Sequence, residues 1–258
     1  MLEKIAKFLI ILVVLTATAN GSKYLAQKPD FLTPCVVGDP SLNSCLAQNL
    51  QALFHQWKDG IPGYNALGSL DPLHIKRVKF SQDASQAIAI NADLQNVYVT
   101  GAGQAVIKEA SFDPKHYVMK ALVFVPKLRF QFDYKLKGHV VALNLNGRGS
   151  GYFEAEKALL YLEMAGRPRV TPEGGFADVD SLKISFRDIK QFHIQLQNLF
   201  GGNKPLEDSA HTLFNENWRE FYEVLRPAAE QTVGGVLLDR MKKTFAYVPA
   251  SYFIKDFH

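Results

Sequence analysis

The chain is poor in the residues that mark most catalytic and metal-binding proteins. Two cysteines, Cys35 and Cys45, occur in 258 residues, and the seven histidines are scattered, with no H-E-x-x-H and no pair four apart. Two sulfurs without histidine partners at ligand spacing leave zinc without a site. No G-x-S-x-G elbow is present, since Ser150 has Arg148 and Tyr152 at the positions that need glycine. The run Gly147-Arg148-Gly149-Ser150-Gly151 has the wrong spacing for a dinucleotide fingerprint or a P-loop. No paired carboxylates announce acid–base chemistry, and Glu216 reads as a helix-surface residue, the alternative being a buried acid. No catalytic residue, metal or cofactor is therefore expected, and the protein is not read as an enzyme. No block of like charge exists and the net charge is only +4, so nucleic acid is not an expected partner. No internal repeat appears at a solenoid period.

The first residues read as a secretory signal spanning 1–19. Lys4 and Lys7 precede an apolar run from Phe8 to Leu15, followed by the small-residue site Ala17-Thr18-Ala19. The run is too short to span a bilayer, so no stable membrane insertion is expected. Residues 20–258 are then one secreted domain carrying +3. In an oxidising compartment Cys35 and Cys45 are expected to bridge; the alternative is two free thiols. Asn20-Gly21-Ser22 is a glycosylation sequon set against the cleavage site.

The stretch from Glu207 to Tyr247 carries the clearest helical signal. Its apolar residues include Ala210, Leu213, Phe214, Trp218, Phe221, Leu225, Ala229, Val233, Leu237, Met241 and Phe245, in steps of three and four. At 1.5 Å per residue it would run about 60 Å. A globule of this length is only about 45 Å across, so the body must be elongated, the helix bent, or both. Pro227 is the expected bend; the alternative is two helices meeting at Arg226-Pro227. A second helix is expected over Leu42 to Lys58, with Leu46, Leu50, Leu53, Phe54 and Trp57 on one face.

Between His74 and about Gln197 the pattern is β. Leu128, Phe130, Phe132, Tyr134 and Leu136 alternate with polar residues, as do Val141, Leu143 and Leu145. A turn at Lys137-Gly138 would pair Tyr134 with Val141, Phe132 with Leu143 and Phe130 with Leu145 on one face. Gly147, Gly149 and Gly151 continue on that face and leave room for a helix backbone or a ligand, or mark a bend. Ser181 to Arg187 and Gln191 to Gln197 are later strands, with Phe192 and Ile194 inward and His193 outward.

One-sided strands need a cover, and the long helix needs a surface of its own length. A curved sheet wrapped around the helix answers both. The residues expected to line the interior are Phe54, Trp57, Leu73, Phe130, Phe132, Tyr134, Val141, Leu143, Leu145, Phe192, Ile194, Phe214, Trp218, Phe221 and Leu225. A long curved sheet does not close tightly on a cylinder along its whole length, which leaves space for an apolar guest. Burying fifteen carbons would yield about 12 kcal/mol gross, and association costs take back a large share.

Several short runs together resemble the takeout/juvenile-hormone-binding protein family of insects across the mature chain. They are Pro34-Cys35 with Cys45, Gly60-Ile61-Pro62, Leu70-Asp71-Pro72-Leu73-His74-Ile75 and the Gly147 to Gly151 run. Leu199-Phe200-Gly201, Phe214-Asn215-Glu216-Asn217-Trp218 and Leu225-Arg226-Pro227 complete the set. With one cysteine pair the chain is similar to the takeout branch. The resemblance implies an α+β, tubular lipid-binding fold, elongated, with a kinked C-terminal helix in a highly curved antiparallel sheet. It implies a hydrophobic tunnel and extracellular carriage of a small lipophilic ligand, a terpenoid hormone or fatty-acid-like molecule, with links to feeding and circadian output. A monomer is expected, with a cell-surface receptor as a conceivable partner. The rival readings are a signalling module that needs no ligand and a lipid hydrolase.

Overall fold

A computed structural model describes residues 23–82, 88–140, 143–255 and 257. The expected signal, the cleavage site, the sequon and Val141 lie outside the described residues. Helix α1 (Leu42–Gln56) is followed by strands β1 (Leu73–Gln82), β2 (Ile88–Thr100), β3 (Val106–Asp113), β4 (Val118–Val140), β5 (Leu143–Thr171), β6 (Gly174–Asp188) and β7 (Gln191–Leu196). Helices α2 (Lys204–Glu216) and α3 (Trp218–Tyr247) close the order.

All seven strands form one antiparallel sheet around β4 and β5. Each of these two long strands changes neighbour part-way. Residues 129–140 of β4 pair with β2, and residues 118–124 pair with β3. Residues 151–156 of β5 pair with β7, and residues 159–171 pair with β6. The change on β4 falls around Pro126, which has no N–H to give a ladder. On β5 it falls at Lys157, whose φ of 52° is left-handed. Register shifts at Gln95/Tyr98, Ile107/Glu109 and Ala165/Gly166 add further curvature.

The β4–β5 pairing corrects the expected register. Tyr134 faces Gly149, Phe132 faces Gly151 and Phe130 faces Phe153, each partner eight residues later than the sequence suggested. An even shift preserves which side chains point inward, so the apolar face survives while the ladder runs on past Gly138 to the Val140–Leu143 pair. Gly138 lies inside β4 at φ +153°, and a Cβ there would fall 1.9 Å from the Ala89 carbonyl oxygen. That glycine serves the approach of β2, and the sequence signal for a turn came from it.

The C-terminal helical stretch also differs in detail. Asn203 caps α2, accepting the Leu206 N–H at 3.2 Å, so the helix begins before Glu207. The ladder breaks at Asn217 (φ −108°, ψ 23°), and α3 then runs through Pro227 without interruption. Helix α3 packs against β6 and β1, and α1 against β3. Buried Gly234 allows close approach to β6, its Cβ position lying 3.5 Å from Ile184 Cγ2. Leu213, counted on the inward stripe in the sequence, is 45% exposed.

The segments around Leu25–Cys35 and Val248–Lys255 meet at the C-terminal end of α3. Cys35 and Cys45 form a disulfide. The Cys35 N–H donates to Phe253 O and its carbonyl accepts from the Lys255 N–H, both at 2.8 Å. Buried Asn49 completes the anchor, accepting the Thr33 N–H at 3.0 Å and donating to its carbonyl at 2.7 Å.

Candidate ligand-binding interior

The inward face is apolar from end to end and divides into three packed regions. The first holds Leu73, Phe132, Tyr134 and Leu145, buried, with Phe130, Leu143, Ile194, Phe214, Phe221 and Leu225 half-buried against them. The second, in the middle, holds Ile184 and Leu160 with half-buried Phe54, Phe192, Trp218 and Tyr222. The third surrounds the C-terminal end of α3 and holds Trp57, Phe245, Val248 and Phe253. The expected interior residues therefore do not share one chamber. Ten lie in the first region, three in the middle and one, Trp57, at the far end. Trp57 packs edge-on against Phe31, with ring centroids 5.6 Å apart, on the side of the N-terminal segment.

The three inward glycines of β5 receive chain, and not a helix or a guest. A Cβ on Gly147 would lie 2.8 Å from Leu199 Cα, on Gly149 2.2 Å from Gln197 O, and on Gly151 2.6 Å from Gln195 O. The segment leaving β7 thus folds across this face. The Tyr134 hydroxyl donates to Gln197 O at 2.9 Å and fixes the crossing.

Helix α2 then closes the free edge of β7 with one stripe of side chains. Asn215 accepts the Ile194 N–H at 2.8 Å and donates to the Ile194 carbonyl at 3.1 Å. His211 Nε2 accepts the Leu196 N–H at 3.0 Å, and Glu207 accepts the Leu199 N–H at 2.9 Å. Spaced four residues apart, the three side chains stand on one helix face. Glu207, Asp208 and His211 also bring ligating atoms within 4.8 Å of one another. Those atoms are engaged, however: Lys204 Nζ lies 3.3 Å from Glu207 and 2.5 Å from Asp208, and His211 holds the Leu196 N–H. The group works as an edge clamp.

Burial lowers the His211 pKa, with Lys204 adding to the effect and Glu207 and Asp208 opposing it. The neutral ring is the form that accepts the Leu196 N–H. The unfolded chain therefore takes up the proton more readily, and stability should be full above about pH 6.5 and fall as pH drops through the lower folded value. Urea denaturation at pH 7.5 and 5.0 should show this loss. His211→Gln, which keeps an acceptor that does not titrate, should flatten it, and an unchanged pH slope in that variant would refute the assignment.

A cavity of about 50 Å³ lies in the third region. It is lined by Leu46 and Leu50 of α1, Phe112, Met119, Met164, Ala177 and Val179 of the sheet, Phe245 of α3, and Phe253, Ile254 and Phe257 of the tail. None of the expected interior residues lines it. Met119 and Met164 are cross-strand partners, and two of only four methionines in the chain. Their rarity was the one visible signal, because the lining comes from segments far apart in sequence. Methionine side chains re-pack easily around a guest. The cavity is smaller than the roughly 300–1,000 Å³ of a small-molecule site, so a guest must displace side chains.

The sequence-family motifs fall on fold-supporting contacts. The Asp71 carboxylate accepts the Gly101 and Gly103 N–H groups at 3.0 and 2.8 Å. Pro62 O accepts the Tyr247 hydroxyl at 3.2 Å, and Tyr64 stacks on the Tyr247 ring at 4.4 Å. Among the described residues no helix is long and apolar enough to cross a membrane.

Comparison with known proteins agrees with this architecture. The haemolymph juvenile hormone binding protein family profile matches residues 9–255, and the chain belongs to that family. Circadian clock-controlled protein daywake of Drosophila yakuba is 22% identical over 224 residues, covering 82% of this chain and 84% of that protein. Its Drosophila melanogaster counterpart is 22% identical over 239 residues, covering 88% of each. The crystal structure of Epiphyas postvittana Takeout 1 superposes with a TM-score of 0.73 at 20% identity, covering 86% of this chain and 99% of that one. The fold is the α+β arrangement of that structure, a large curved antiparallel sheet with a C-terminal helix.

Proposed function

We propose that this member of the haemolymph juvenile hormone binding protein family is a secreted, non-catalytic carrier that holds a small lipophilic ligand between α3 and the inner face of the sheet. The observation that carries the reading is the apolar cavity beside Phe245, bounded by flexible Met119 and Met164. Half-buried rings along the same interior extend the apolar path beyond it. Residues 1–19 would be removed as a signal, leaving one domain from residue 20 that acts as a monomer. The daywake relatives, named as circadian clock-controlled, support a place in daily rhythms.

Purified secreted protein, extracted with organic solvent, should release an apolar compound detectable by mass spectrometry. Ala177→Trp projects an indole into the cavity and should weaken uptake of a fluorescent fatty-acid probe at least tenfold, with the fold retained by circular dichroism. Lipid-free native protein that also fails to take up the probe would refute the carrier reading.

A further inference from the structure

On the outer face of the β4–β5 seam, cations face carboxylates across the strands for most of its length. Lys120 is opposite Glu163, Lys127 opposite Glu156 and Arg129 opposite Glu154, and each couple forms an ion pair. Where β5 meets β6, Arg167 and Arg169 hold Asp180 and Asp178, both at 2.8 Å. The pattern fails beyond Asp133. Lys135 lies directly opposite Arg148, and Lys137 opposite Asn146. On its other side Lys135 faces Asp93, which in turn faces Lys79 of β1. Asp93 is held by Arg77, whose Nε donates to it at 2.7 Å, and Asp133 accepts the Asn96 side-chain amide at 2.9 Å. Among the described residues Lys79, Lys135, Lys137 and Arg148 are exposed and form no ion pair.

Like charges directly opposite each other weaken a sheet, so the fold alone gives no reason for this arrangement. Lysines also guard free sheet edges against pairing, but Lys135 and Lys137 stand on β4 with a strand bonded on either side. What the patch lacks narrows its partner. Three consecutive outward rows across β1, β2, β4 and β5, those of Asp133, Lys135 and Lys137, carry only polar or charged side chains. With strands about 4.8 Å apart and residues about 3.3 Å apart, the rows cover about 14 by 13 Å. A protein interface is anchored by aromatic and apolar side chains at its centre, and none stands here. A membrane-surface element carries apolar side chains to insert, and the anionic leaflet faces the cytoplasm. A polyanion held by charge and hydrogen bonds alone fits both absences.

We propose that this outer face binds a sulfated glycan of the extracellular matrix, with Lys79, Lys135, Lys137 and Arg148 on the sulfates. Asn91 and Asn146, exposed in the Lys137 row, supply amides for the sugar hydroxyls. The cations run across the strands and not along one of them, so a linear chain laid across the sheet meets Lys79, Lys135 and Arg148 in turn. The site lies on the opposite side of the wall from the apolar interior, since Tyr134 and Leu136, which alternate with these lysines, are buried. The proposal rests on the secreted part of the reading above and not on the guest held inside. It adds a place of residence: the protein is retained at a glycan-coated surface while its interior stays free.

The test uses the full-length mature chain, a heparin dodecasaccharide as probe, and calorimetric titration over a range of salt concentrations. Wild type should bind, with affinity falling as salt rises because binding releases counterions. Lys135→Gln/Arg148→Gln should bind about tenfold more weakly at about 150 mM salt and reduce the salt slope by about one to two. That double variant should resist urea at least as well as wild type, since a like-charge pair is gone. A control of equal charge change, Lys58→Gln/Lys115→Gln, removes exposed lysines outside the three rows and should stay within about twofold of wild type. Equal losses in the two variants would reduce the attraction to net charge and overturn the site. Absence of heparin binding by wild type would overturn it too, leaving the carrier reading intact. Tighter binding to phosphatidylserine–phosphatidylcholine vesicles than to heparin would overturn the glycan in favour of a membrane surface. Insect cells that retain the chain unprocessed would overturn secretion, and a matrix partner with it.

Discussion

Gly149→Ala should destabilise the fold by about 3 kcal/mol or more, because the new methyl would meet the Gln197 carbonyl oxygen at 2.2 Å. The obstacle is backbone, so rotating a side chain brings no relief. Either β5 or the segment crossing it must move, and moving that segment breaks the Tyr134–Gln197 bond and the Glu207–Leu199 bond. A paired control shows that the effect belongs to the site and not to glycine in general. Gly235 in α3 has nothing within 4 Å of its Cβ position, and Gly235→Ala should stabilise by about 1 kcal/mol through helix propensity. Urea midpoints of the two variants should shift in opposite directions, and a Gly149→Ala midpoint near wild type would disprove the close crossing.

Glu207→Ala should cost about 3 kcal/mol. Leu199 is fully buried, and its N–H would lose its acceptor with no water to replace it. The same substitution removes a partner of Lys204 and leaves a cavity beside His211. Burial acts to raise the Glu207 pKa, but the Leu199 N–H and Lys204 outweigh it and the net shift is downward. Its contribution is therefore present above the ordinary glutamate value and lost as pH falls through the lower folded one. Glu207→Gln retains an oxygen acceptor and should cost about 1 kcal/mol. Hydrogen exchange reads the site directly: the Leu199 amide should lose protection in the alanine variant and keep most of it in the glutamine variant. Full protection of that amide in Glu207→Ala would rule the assignment out.

The faces of the strands were legible in the sequence, and their register was not. Alternation fixes the side on which Phe130, Phe132 and Tyr134 stand, and any even shift satisfies it equally. Choosing among even shifts needed the location of the turn, and Gly138 gave the wrong one because a glycine required by a neighbouring strand looks the same as one required by a turn. The inward direction of Gly147, Gly149 and Gly151 was also readable. Their occupant was not, since residues 195–199 lie some fifty positions away and carry no local mark of the contact. Helical periodicity passed straight over Asn217, where only the backbone angles record the break. The cavity escaped for a related reason. Its lining is drawn from α1, four strands, α3 and the tail, and periodicity within a single segment does not reveal such a meeting.

The exchange of neighbours along β4 and β5 has a mechanical consequence. The wall is a sleeve with two cuffs, one of β1, β2 and β7, the other of β3 and β6, stitched together by the long β4–β5 seam. Loosening one cuff leaves the hydrogen bonds of the other in place. The two ends of the wall can therefore loosen or tighten separately, so a strain applied at one need not disturb the pairing at the other.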